Sequence, residues 1–151
     1  MPRLLVSSRD RFGLSFAALA LAGVAAVATA PLFAAGPQFS ATFTVADAQP
    51  SGDSVHLTFS FSLRVAQPTE LVVEAIKLGN PSASDQAYAS FPGGTIPAGG
   101  ELKGSDSVTI PKSVYKKWKK GQPAALFVRT AGDASSAMWA RVDAVATGTL
   151  P

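Results

Sequence analysis

His56 is the only histidine in the chain, and there is no cysteine. A Ser-His-Asp triad would have to use His56 as its base. Serine and threonine are abundant, so a hydroxyl neighbour for that histidine carries little information. No Gly-x-Ser-x-Gly nucleophile elbow occurs in the sequence. One histidine without cysteine cannot build a usual zinc or copper site. The lack of cysteine also excludes Cys-x-x-Cys-His haem attachment and thiol nucleophiles. Asp47, Asp53, Asp85, Asp106 and Asp133 are scattered without calcium-loop spacing. Each falls in or beside a turn, where aspartate serves the backbone. Gly93, Gly94, Gly99 and Gly100 lie among prolines and lead into strands. A phosphate cradle needs glycines that lead into a helix N-terminus, so these read as turn residues. The sequence therefore assigns no catalytic, cofactor-binding or metal-ligating residue.

What remains is a set of candidate partner-binding residues. Tyr115, Lys116, Lys117, Trp118, Lys119 and Lys120 form one run. Lysines interleaved with aromatics suit a phosphate backbone with stacked bases, an anionic membrane surface with Trp118 at headgroup level, or an acidic protein with Trp118 as anchor. A solvated helix with its aromatics folded onto the domain is the structural alternative. Trp139 and Arg141 form the second candidate pair. They alternate with Met138, Ala140 and Val142, so one face of the last strand presents an aromatic and a cation. A terminal strand is often an edge, and edges invite pairing.

The elements that hold these residues are mostly strands. Val55, Leu57, Phe59, Phe61, Leu63 and Val65 alternate strictly with polar residues, which predicts a long strand with one buried and one wet face. Phe39, Ala41, Phe43 and Val45 predict a second, with the turn at 47–53. The run 71–78 is denser in apolar residues and predicts a central strand. A polar loop is expected at 80–87, a short edge strand at 88–91, turns at 91–94 and 97–100, and strands at 105–110, 124–130 and 137–147. One helix is predicted over 111–120, with Pro111 at its first position and Gly121 beyond its end. Val114, Tyr115 and Trp118 share one side of it. Strands at this spacing predict an all-β, immunoglobulin-like antiparallel sandwich with one short inserted helix, with a small barrel as the main alternative.

Residues 1–35 read as a signal peptide. Arg3, Arg9 and Arg11 precede an uncharged, Ala/Leu/Val-rich stretch, and small residues follow. Cleavage after Ala28 fits the A-x-A pattern best, a site near Ala34 or Ala35 is the alternative, and an uncleaved anchor is the other reading. The domain is then 36–151. Beyond residue 35 there are ten basic and nine acidic residues, so the exported domain is nearly neutral and its basicity does not point to nucleic acid. Without cysteine, no disulfide staples it.

The leader and small β-domain carry Val72-Val73-Glu74-Ala75-Ile76-Lys77-Leu78-Gly79 and Gly94-Thr95-Ile96-Pro97-Ala98-Gly99-Gly100. They also carry Trp118-Lys119-Lys120-Gly121-Gln122-Pro123-Ala124-Ala125-Leu126-Phe127-Val128-Arg129. In size, leader and texture across the chain, this resembles the small, about 15 kDa, subunit of the membrane-bound quinohaemoprotein alcohol dehydrogenases of acetic acid bacteria. None of those runs is a diagnostic motif, and no functional residue is carried over. The resemblance implies a periplasmic accessory subunit, peripheral to the cell inner membrane, that assists assembly or stability of an ethanol-oxidising complex. Its partners would be a catalytic subunit with pyrroloquinoline quinone and haem c, and a cytochrome subunit. The chain itself would bind no cofactor. The alternative is an independent exported immunoglobulin-like module for a protein or glycan ligand.

Overall fold

The computed structural model describes residues 38–132 and 138–151. The leader, the start of the last strand at Ala137, and Asp133 lie outside the described residues.

Among the described residues, seven strands and one helix follow in the order β1 (Phe39–Ser51), β2 (Ser54–Val65), β3 (Leu71–Asn80), β4 (Ala83–Ile96), β5 (Glu101–Pro111), α1 (Lys112–Lys119), β6 (Ala124–Thr130) and β7 (Ala140–Ala146). They form one sheet in the order β4-β3-β6-β7-β1-β2-β5. β4 and β5 approach each other near the turn that joins them, where the Leu102 side chain lies on Gly94. The sheet comes nearly round into a barrel. It is mixed and not wholly antiparallel as the sequence suggests: β1 and β7 run parallel, with Ala41 opposite Ala144 and Phe43 opposite Ala146. The hairpin-like antiparallel pairing of β7 with β6 fixes its direction. Its other side pairs with β1, so this last strand is interior to the sheet and not the open edge expected of a terminal strand.

The period-two pattern in β2 is obeyed without exception. Val55, Leu57, Phe59, Phe61, Leu63 and Val65 are all buried. Ala41, Phe43 and Val45 of β1 join them. Inside the barrel, Phe43 stacks on Phe59 with ring centroids 5.4 Å apart. Phe61 meets Phe91 edge-on at 4.9 Å. Trp118 of α1 reaches in from one end and lies 5.1 Å from Phe43 and 5.9 Å from Phe59. Such aromatic contacts add about 0.5–1.5 kcal/mol each beyond the area they bury.

Two segments expected to be turns are strand. β1 continues through 47–51, with Pro50 opposite Val55 and only Gly52 and Asp53 turning the chain. β7 pairs β1 only at 41–43, so Pro50 sits on an open edge where its missing N–H costs nothing. β4 is the second case. It takes in residues 83–87 of the loop expected at 80–87 and the whole of the expected turn at 91–94. It too is an edge, and Pro92 pairs with Ala75 there. The Val73 and Glu74 carbonyls press so closely on Gly93 that a Cβ has no room. That glycine is a close-approach residue opposite a bulge in β3, between Val73 and Ala75.

α1 begins one residue later than expected. Pro111 ends β5 in extended conformation and serves as N-cap. The C-terminus follows the expectation. Gly121 has φ +89°, Gln122 N–H donates to Lys117 O at 3.1 Å and Gly121 N–H to Trp118 O at 2.9 Å. This is a Schellman cap.

Trp118→Ala should open a cavity beside Phe43 and Phe59 and cost about 3–5 kcal/mol. The total for a domain of this kind is about 5–15 kcal/mol. Denaturant unfolding checks this, and an unchanged midpoint would place Trp118 outside the core.

Candidate docking surfaces

α1 sits where β1 turns into β2, since Lys112 N–H donates to Asp53 O at 2.8 Å. The amphipathic spacing positions its residues by type. Tyr115 and Trp118 face inward and are 6% and 4% exposed. Burial raises the Tyr115 phenol pKa, which keeps it a hydrogen-bond donor, and it donates to the main-chain oxygen of Pro151. Lys119 Nζ donates to the same oxygen at 3.0 Å. Lys116, Lys117 and Lys120 are exposed. Of the six residues in this run, then, the two aromatics belong to the core and only the lysines face water. Trp118 is unavailable both as an interfacial anchor and as a membrane-level aromatic.

Trp139 and Arg141 lie elsewhere. β6 runs from Ala124, beside the end of α1, to Thr130, and Trp139 is flanked by Arg129 near the far end of that strand. The two candidate clusters therefore occupy opposite ends, about 20 Å apart along β6. They are separate surfaces.

The far surface is built on the outer side of β3, β6 and β7. Gly79 lets Phe127 lie flat on β3, because a Cβ there would meet the Phe127 ring at 2.6 Å. Phe127 is 5% exposed and sits in register between Lys77 and Arg141. Trp139, half-buried, has Lys77 Nζ 4.2 Å from its ring centroid and Arg129 Cζ at 5.4 Å. Cations over an indole face hold it in place. The β3 bulge aims Glu74 at Arg129, with 2.7 Å between Oε2 and Nε. The N–H points off that line, so the ion pair lacks a well-formed hydrogen bond. Arg141 is engaged by Asp143, Nε to Oδ1 2.9 Å, and donates to Pro81 O at 3.3 Å. Met138, beside Trp139, is 75% exposed. Lys77, Arg129, Phe127 and Met138 were not legible as a group, because β3 and β7 are distant in sequence and nothing local predicts that they flank β6. The alternation around Trp139 was the one signal.

A third surface is the outer face of β1, β2 and β5. Thr42, Ser62 and Lys103 align across it, as do Thr44, Ser60 and Ser105. These residues line a shallow open groove of about 430 Å³. His56 belongs to this face, and its Nδ1 meets Thr109 Oγ1 at 3.1 Å. No carboxylate among the described residues is hydrogen-bonded to it. At one end Glu101 gathers Lys103 Nζ at 2.8 Å, Ser62 Oγ at 2.6 Å and Arg64 Nη2 at 3.2 Å. The Lys103 ammonium, then the Ser62 hydroxyl, with Arg64 adding less, hold its carboxyl at about 2, well below its ordinary 4.5. Among the described residues, no three His, Asp or Glu side chains gather as a metal site.

No protein-family model matches the chain, and no curated protein matches its sequence.

Glu101 stays ionised in the folded chain to lower pH than in the unfolded one. Its contribution to stability is thus complete above pH about 4.5 and disappears as pH falls through about 2. A carboxyl-detected NMR titration should show its midpoint near 2, and Glu101→Gln should flatten stability between those values. A midpoint at the ordinary value would dissolve the cluster.

Proposed function

We propose that this chain is a non-catalytic, periplasmic accessory subunit that docks through the Trp139 surface onto a membrane-bound quinone-dependent alcohol dehydrogenase. The observation that carries the docking is the half-exposed indole held between Lys77 and Arg129, with the exposed Met138 beside it. Trp, Met and Arg are the residues enriched at the centres of protein interfaces. An indole already clamped by cations loses little rotamer freedom on binding. Lys77, Arg129 and Arg141 give the patch cations, and Glu74 and Asp143 offset two of them. The identity of the partner rests on the resemblance in leader, size and texture. In that reading pyrroloquinoline quinone, haem c and electron transfer to ubiquinone belong to the catalytic and cytochrome subunits, and this chain contributes assembly or stability.

The strand order supports an immunoglobulin-like sandwich. The β4-β3-β6-β7 half and the β1-β2-β5 half meet along the parallel β1–β7 pair. That division suits an immunoglobulin-like sandwich whose first strand is shared by both sheets. The hydroxyl-lined groove beside Glu101 favours a second reading, an independent exported module for a glycan, whose hydroxyls would exchange hydrogen bonds with Thr42, Thr44, Ser60 and Ser62.

Trp139→Ala separates the two. Its unfolding free energy should stay within about 1 kcal/mol of wild type, since the indole lies outside the core. After gentle extraction of native membranes, the wild-type chain should co-purify with a larger oxidoreductase and the variant should not. Recovery of the wild-type chain as a lone monomer would overturn the subunit reading.

A further inference from the structure

The lysines of α1 play no part in the Trp139 surface. Lys112, Lys116, Lys117 and Lys119 lie in α1 and Lys120 is its C-cap. None of the ion pairs among the described residues involves any of them. At 100° per residue, with Tyr115 and Trp118 facing the core, Lys116, Lys117 and Lys120 fall on the outward half of the helix. Lys112 and Lys119 flank them, and Lys119 is held by Pro151. The helix is rigid for its length. Trp118 is wedged against two phenylalanines, Lys112 N–H is tied to Asp53, and the Schellman cap fixes the far end.

From these observations we infer that the α1 end of the barrel is an electrostatic contact for anionic phospholipid headgroups, a function separate from the Trp139 surface. The choice of a lipid surface over an acidic protein follows from what the helix exposes. Its exposed residues are lysines and Ser113, while both aromatics are buried. Hot spots of protein interfaces are enriched in tryptophan, tyrosine and arginine, and among the described residues of the helix none of these is exposed. A diffuse array of ammonium groups on flexible stems matches a diffuse array of phosphates. There each lysine improves partition about fivefold without specific geometry. Removing the three outward lysines should cost about a hundredfold. Because Trp118 is not available to insert, the contact is electrostatic only. It should disappear at about 1 M salt, where the screening length falls to about 3 Å.

The test is sedimentation of the exported chain, as cells produce it, with vesicles rich in phosphatidylglycerol and with vesicles of phosphatidylcholine alone. The wild type should bind the first at low salt and lose them at high salt, and should ignore the second throughout. A variant with Lys116→Ser, Lys117→Ser and Lys120→Ser should lose about a hundredfold in partition. The matching Lys→Arg triple variant should retain it, because charge and not lysine identity is at stake. Trp139→Ala should bind vesicles as wild type does, whatever becomes of its protein partner. Equal binding to both vesicle types, or a serine variant that partitions like wild type, would overturn the inference. So would a serine variant that keeps the vesicles and loses a co-purifying protein, which would make an acidic protein the occupant.

Discussion

Trp118 wedged against Phe43 and Phe59 is the contact on which the rest of the molecule depends. Phe43 belongs to β1 at the three residues where that strand also pairs with β7, so the indole braces the parallel seam from inside. Phe59 belongs to β2, which carries β5 and the connection into the helix. One side chain thus ties the helix to β1, on one side of the seam, and to its neighbour β2. It also fixes how the helix is turned. With Tyr115 and Trp118 inward, the lysines have no direction left but outward, and the chain gains a charged end without any interaction devoted to making one.

The two ends of the barrel consequently differ in kind. At the helix end the aromatics are spent on the core, and the helix itself exposes only lysines and Ser113. At the other end the core is complete without Trp139, and that indole is positioned from outside by Lys77 and Arg129. The protein partner proposed for one end and the lipid surface proposed for the other would together let a small subunit bridge an oxidoreductase and the membrane bearing it. The hydroxyl face between them is held by Glu101, whose bonds to Lys103, Ser62 and Arg64 join the start of β5 to the end of β2.

Much of the fold was legible wherever a strand has one wet face. The alternation from Val55 to Val65 needed no tertiary information, and neither did the stop at Gly121. β4 was hidden because Pro92, Gly93 and Gly94 are turn residues by type. They are strand residues here because an edge tolerates the proline and the β3 bulge demands the glycine. Pro50 misled in the same way. The parallel β1–β7 pair could not be read, since pairing between the first and last strands leaves no local trace. For the helix run, the spacing of Tyr115 and Trp118 showed a shared side but not which way that side faced. Packing decided that, and with it which residues remain available to a partner. At the other end, Trp139 stood out as an exposed aromatic, while Lys77 and Arg129 became its neighbours only through the sheet order.

Iodide quenching of tryptophan fluorescence tests the division between a structural and a docking indole most directly. In the free chain, one emission component should be shielded, from Trp118, and one quenchable, from Trp139. In the native assembly isolated from membranes, the Trp139 component should become shielded too. A Trp139 component that remains as quenchable in the assembly as in the free chain would contradict docking through this surface.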